Sequence, residues 1–134
     1  MSFVVRGLES LNLFTANAKR LAAFYRDKVG LKVSFEGMMG ENEEIYELKL
    51  GKGPNLYIID HSRVKGKNKN PDMIIFNIEV DDIKKEVARL KRAKVKQIQP
   101  TYHVEGYGWI STFADVDGNY FQFVQVRPTP AKKK

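Results

Sequence analysis

Hydrophobic and polar positions change period several times along this chain, and the changes mark its elements. The stretch ESLNLFT at 9–15 partly alternates, as a half-buried strand does. Asn17 then offers a cap for a helix over 18–29, with Leu21, Phe24, Tyr25 and Val29 on one face and Gly30 closing it. LKVSFE, EIYELKL and PNLYIID read as three further strands separated by Gly and Asn turn signals. The first half is therefore βαβββ. After the basic, Pro- and Gly-containing segment 62–71, the order repeats. MIIFNIEV predicts a strand, and Asp81 or Asp82 caps a helix with Ile83, Val87 and Leu90 on one face. VKQIQ, GYGWISTFAD and NYFQFVQV predict three more strands, with Val116-Asp117-Gly118-Asn119 as the last turn. Asn17 corresponds to Asp82 at an offset of 65 residues, and Leu31 to Val95 at 64. A unit present twice at this spacing predicts a duplicated α+β architecture of two βαβββ modules, not a solenoid. Its sheets should be mixed and antiparallel-rich, each with its helix packed on one face.

Composition narrows the class. The chain has 134 residues, 43% hydrophobic, which suits one domain of modules at about 8–61 and 72–126, a linker at 62–71 and a basic tail at 127–134. Without cysteine there can be no disulfide, cysteine-ligated zinc, iron–sulfur cluster or thiol nucleophile. No apolar run reaches membrane-spanning length, and the opening MSFVVRGLES lacks a signal peptide's apolar stretch, so a cytoplasmic location is expected.

The net charge of +7 is unevenly spread. Residues 36–47 hold five glutamates and no base, whereas 84–96 hold seven bases and one acid. Such a basic stretch raises the possibility of a module for nucleic acid or an acidic partner. No nucleic-acid motif or interleaved aromatics accompany it, so a solvated helix face is the expectation and nucleic acid is not an expected partner. GKG at 51–53 precedes a strand and reads as a hairpin turn, not a phosphate loop. Asp115 and Asp117 read as turn residues.

The first module resembles the vicinal oxygen chelate superfamily, which includes glyoxalase I, bleomycin- and fosfomycin-resistance proteins and extradiol dioxygenases. The resemblance rests on Phe24-Tyr25 and Gly30-Leu31, spaced as in the family's Phe-Tyr-x-x-x-x-Gly-Leu. It continues through IFNIEVDDIKKEVARLKRAKV to DVDGNYFQFVQV, where Val116 replaces the usual proline of the family's turn. Roughly residues 8–126 are covered.

The resemblance implies a divalent metal held by one residue on the first and fourth strand of each module. Those positions carry Ser10, Tyr57, Ile75 and Gln122 here, with Ser10 and Ile75, and Tyr57 and Gln122, each 65 apart. Isoleucine has no donor atom, and a serine, a phenol and a neutral amide form a poor shell for such a metal. The expectation is no metal and no cofactor. His61, Asp60, His103 and Glu105 are the remaining donors for a rearranged site, and neither histidine lies in a ligand-pair spacing. No catalytic residue is assigned.

Strand parity places Ser10, Asn12 and Phe14 on one face, with Asn55, Tyr57 and Ile59, with Met73, Ile75 and Asn77, and with Tyr120, Gln122 and Val124. The opposite parity, Leu11, Leu13, Leu56, Ile58, Phe76, Ile78, Phe121 and Phe123, suits packing on the helices. Trp109, the single tryptophan, and Tyr107 are expected at the cavity edge, as the resemblance implies. The expected ligand-binding set is Ser10, Asn12, Phe14, Tyr57, Ile75, Asn77, Trp109 and Gln122. The resemblance implies curved sheets forming a cavity, with the helices outside, and the expected function is binding of a small compound there: aromatic because the inner face carries rings and amides, and neutral or anionic because the chain is basic overall, unless Glu36–Glu47 lines the cavity. The alternatives are a lyase- or isomerase-type enzyme with an unusual metal site or none, and the basic interaction module. A homodimer is the expected assembly, by resemblance.

Overall fold

In the computed structural model, residues 4–127 are described. They form two compact units that divide at Gly66–Lys67, within the segment expected to link the modules.

The first unit runs β1 (Ser10–Thr15), α1 (Ala18–Phe24), β2 (Val33–Met38), β3 (Glu44–Leu48) and β4 (Asn55–Asp60). Its sheet order is β1-β4-β3-β2, with β1 parallel to β4 and the other pairs antiparallel. The second unit repeats this with β5 (Phe76–Glu79), α2 (Ile83–Arg92), β6 (Lys96–Val104), β7 (Gly108–Ala114) and β8 (Tyr120–Gln125), in the order β5-β8-β7-β6. Each unit is thus the βαβββ module that the hydrophobic pattern predicts, and the α+β class follows.

The equivalence extends to hydrogen bonds. Asn17 Oδ1 accepts from Arg20 N, and Asp82 Oδ1 from Lys85 N, so both helices carry the side-chain cap that their sequences predict. A second anchor comes from the end of each module's last strand. Asp60 Oδ1 accepts from Ala18 N at 2.6 Å, and Gln125 Oε1 from Ile83 N at 2.8 Å. These bonds satisfy helix N–H groups that have no partner within the helix.

The core of each unit lies between its helix and one sheet face. Leu56 and Ile58 are buried in the first unit, with Leu21, Ala22, Phe24 and Tyr25 of the helical segment. Phe113, Phe121 and Phe123 are buried in the second, in stacked, tilted and edge-on pairs at centroid distances of 5.9–6.1 Å, with Val87 and Leu90 among the buried residues of α2. Leu11, Leu13, Phe76 and Ile78, which share this parity, are half-buried.

Three differences from the predicted extents have a local cause. The predicted helix is α-helical only to Phe24; Tyr25–Val29 widens into a π-helical turn, and both Gly30 N and Leu31 N donate to Tyr25 O at 2.9 Å. Gly30 sits at φ 96°, the left-handed conformation that lets a helix end in this way. The predicted strand at 73–80 begins only at Phe76, because Met73 N closes a turn onto Asn70 O. β6 continues past its predicted end through Pro100, and two register breaks near that residue accommodate its missing N–H.

The second half of the predicted linker is stitched to its own unit. Asn68 N donates to Asp117 O at 2.8 Å and Asn68 Nδ2 to Asn119 Oδ1 at 3.0 Å. Asp115 organises that last turn: Oδ1 accepts from the backbone of Asp117 and Asn119, and Oδ2 from Asn119 Nδ2. The predicted turn role of Asp115 therefore has a direct structural basis. Of the predicted basic tail only Arg127 is described, pairing with Glu79 at 3.0 Å; residues 128–134 lie outside the described residues.

Candidate functional site

The face of the first sheet turned away from α1 carries the sequence-predicted positions of that module. Asn12 lies directly beside Tyr57 across the parallel β1–β4 pair, and Tyr57 lies opposite Glu47 across β3–β4. Ser10 is beside Asn55. A bulge at Ser34 in β2 turns two successive residues, Ser34 and Phe35, toward this face.

Glu47 is the centre of the resulting polar cluster. Its Oε2 accepts from the Tyr57 hydroxyl at 2.5 Å and from Asn55 Nδ2 at 3.1 Å, and its Oε1 accepts from Ser34 Oγ at 2.8 Å. Hydrogen bonds from Tyr57, Ser34 and Asn55 hold the Glu47 carboxyl below the usual range, so it is ionised. The same carboxylate pushes the Tyr57 phenol up. Around the cluster stand two exposed rings. Phe14 meets His61 edge-on at 5.4 Å, and Phe35 lies along its own strand over Gly37, where a side chain would collide with the ring.

Glu47 was not among the predicted site residues. Its only signal in the sequence is its place in the glutamate run 36–47, which can line a cavity without showing which glutamate does so. Only pairing with Tyr57 shows which side of the sheet it takes.

In the second unit, Asn77 lies beside Gln122 across β5–β8, the counterpart of Asn12 beside Tyr57. Gln122 Nε2 donates to Thr112 Oγ1 at 2.9 Å, and Asn77 Nδ2 to the Tyr107 hydroxyl at 3.1 Å. Asn77, Gln122, Thr112 and Tyr107 thus form a neutral amide–hydroxyl surface. Ile75 precedes β5 instead of lying in it. Trp109 pairs with Gln125, one residue out of phase with the Thr112–Gln122 pair. It therefore stands on the helix-facing side of its sheet, not beside Gln122, because alternate residues of a strand point to opposite faces.

The remaining histidine candidates have other roles. Asp60 accepts from Ala18 N and Glu44 N, and His61 Nδ1 accepts from Arg63 N. His103 packs its ring against Trp109 at 4.7 Å.

A profile of the Glyoxalase/Bleomycin resistance protein/Dioxygenase superfamily matches residues 7–123. The chain belongs to this superfamily. Solved structures agree on the fold. A glyoxalase/bleomycin resistance protein/dioxygenase domain from Frankia sp. EAN1pec superposes with TM-score 0.75 at 17% identity, covering 92% of this chain and 100% of that one. The trypanothione-dependent glyoxalase I of Leishmania major gives 0.71 at 21%, covering 90% of this chain and 87% of that one. The fosfomycin resistance protein FosX of Listeria monocytogenes gives 0.69 at 17%, covering 92% and 96%. Comparison with curated proteins gives no match.

The metal shell that the resemblance to this superfamily implies does not fit the donors at those positions. Tyr57 is committed to Glu47, Gln122 to Thr112, and Ile75 brings no donor. Among the described residues no three His, Asp or Glu side chains cluster to hold a metal ion. Also among the described residues, no helix is long and apolar enough to cross a membrane.

Proposed function

We propose that this superfamily member binds a small planar compound, and that the face of the first sheet centred on Glu47 is where it does so. The observation that carries the reading is an ionised carboxylate held by three donors beside two exposed rings, Phe14 and Phe35. A carboxylate has about four lone-pair positions, so three protein donors leave room for one from a ligand. The rings supply flat apolar surface next to that acceptor, the combination of apolar walls and few polar anchors typical of small-molecule sites.

Charge refines the ligand class. The net positive charge pointed to a neutral or anionic compound, but much of that charge is carried on exposed lysines. Such charges act weakly beyond a screening length of about 8–10 Å. Glu47 acts at contact distance, so a donor-bearing neutral or cationic aromatic compound fits this face better than an anion. The superfamily name and the resistance protein FosX among the structural neighbours are consistent with capture of small organic molecules.

A titration of aromatic amines and amides, read by NMR shifts on β1–β4, tests the proposal. Shifts centred on Tyr57, Phe14 and Phe35 that are lost in Glu47→Gln support it. Absence of any saturable shift there, or binding indifferent to Glu47→Gln, would overturn it. The partner proposed in assembly is a second copy of the chain, for which exposed Tyr102 and Tyr107 offer apolar surface. Light scattering at micromolar concentration should give twice the 15.4 kDa chain mass; a monomer would remove this part of the reading.

A further inference from the structure

Within the second unit, Trp109 stands on the side of its sheet opposite Asn77 and Gln122 and lines a groove there. It forms one wall of a cavity of about 610 Å³ between β7 and α2. The other wall is apolar: Ile83 and Val87 are buried and Ala88 is half-buried. Trp109 is nevertheless 44% exposed, a large ring left open at the mouth of an apolar groove. His103 backs it at 4.7 Å and limits the orientations the indole can take. Small-molecule pockets fall in the range of roughly 300–1,000 Å³, and this volume lies inside it.

The rim is charged with one sign. Lys84 and Lys91 line the groove seven residues apart, two turns along the same helix face. Among the described residues neither makes an ion pair, and the one carboxylate of α2, Glu86, is bound to Arg89 at 2.8 Å. A groove with an apolar floor, an indole wall and two uncompensated ammonium groups is complementary to an amphipathic organic anion. Its ring or alkyl body would displace water from Trp109 and Val87, and its head would stay at the solvent boundary between the lysines. We infer that the α2–β7 groove binds an aromatic or alkyl carboxylate, sulfonate or phosphate, in a site independent of the Glu47 face. The C-terminal segment of this chain is a poor occupant by charge, since residues 128–134 contain three lysines and no acid.

Because Trp109 is the only tryptophan, indole emission arises from the wall of this groove, and the variants below assign any quenching to it. The probes are 8-anilinonaphthalene-1-sulfonate and its uncharged relative N-phenyl-1-naphthylamine, titrated into the full chain. The sulfonate should quench Trp109 saturably, with one molecule bound per chain. Lys84→Gln/Lys91→Gln should weaken it about tenfold or more, the scale of a lost charge-assisted contact, and leave the uncharged probe nearly unchanged. Ala88→Phe, which fills the groove from an incompletely buried position, should abolish quenching by both, while Glu47→Gln should alter neither. Circular dichroism on each variant verifies folding. No saturable quenching, or quenching insensitive to both the lysine pair and Ala88→Phe, would overturn the proposal. So would a Trp109 emission shift on deleting residues 128–134 or on raising protein concentration without probe, since the tail or a second copy would then fill the groove.

Discussion

The Tyr57 hydroxyl donates to Glu47 Oε2 across adjacent antiparallel strands, at 2.5 Å. Tyr57 occupies a position where metal-binding members of the superfamily are expected to place a ligand, and here its oxygen is spent on an acid. The bond has a consequence for acid stability. Glu47 is held below its usual range chiefly by Tyr57, then by Ser34 and Asn55. A lowered carboxyl pKa means that the unfolded chain binds the extra proton first as pH falls. The Glu47 contribution is therefore fully present above its ordinary value near 4.5 and is lost as pH drops through the lowered one. Tyr57→Phe should move the Glu47 titration upward in a carboxyl NMR experiment, and Glu47→Gln should flatten the acid limb of a urea-midpoint profile. An unchanged Glu47 titration in Tyr57→Phe would show that the bond does not set its ionisation.

How far the sequence reveals this protein depends on which forces act locally. The strand–helix–strand order is legible because alternation and helical periodicity are properties of short windows, and the caps Asn17 and Asp82 mark both helices from their own sequence. The 65-residue offset carries further than expected: Asn12 beside Tyr57 and Asn77 beside Gln122 occupy equivalent register positions. Glu47 and Trp109 were harder to place. Glu47 takes the open face because it pairs with Tyr57, and Trp109 takes the helix side because it pairs with Gln125. Both depend on the register between neighbouring strands, which composition and periodicity leave undetermined.

Asp60 and Gln125 make the repeat testable in energetic terms. Asp60 accepts from Ala18 N and Glu44 N, so it ties the start of α1 and the start of β3 to the end of β4. Gln125 makes the equivalent helix contact, with Ile83 N, in the second module. Asp60→Ala removes two acceptors from part-buried backbone donors and should cost about 2 kcal/mol, while Gln125→Ala should cost about 1 kcal/mol. Urea denaturation of both variants checks the ranking. Equal losses, or a larger loss for Gln125→Ala, would mean that the second contact to β3 contributes nothing.

Gly108 should be intolerant of any side chain. It lies at φ 141°, and a methyl group there would overlap the Gln125 carbonyl oxygen and crowd Val126 Cα. Those obstacles are backbone atoms and cannot swing aside as a side chain could. Gly108→Ala should destabilise by about 2–4 kcal/mol through combined strain and overlap, and thermal denaturation should show a drop of several degrees. Because Trp109 follows directly, its emission should shift as well. A melting temperature within a degree of the parent would refute the close β7–β8 approach.

The alkaline limb of stability isolates a different tyrosine. Tyr46 is buried against the helix side of the first sheet and donates to Glu44 Oε1 at 2.8 Å. Burial first, and the Glu44 hydrogen bond second, push its phenol up to about 12. Here the folded chain holds the proton more tightly than the unfolded one, whose tyrosines lose theirs near pH 10. Stability from Tyr46 is thus complete below about pH 10 and drains away as pH rises through about 12. Tyr57, also raised, contributes a loss in the same direction. The urea midpoint of the parent should fall more steeply between pH 10 and 12 than that of Tyr46→Phe, and a Tyr46→Phe/Tyr57→Phe double variant should be flatter still. The three proteins differ only at these hydroxyls, so the remaining side chains cancel in the comparison. Parallel curves for the parent and Tyr46→Phe would place the Tyr46 hydroxyl in contact with water and remove it from the core.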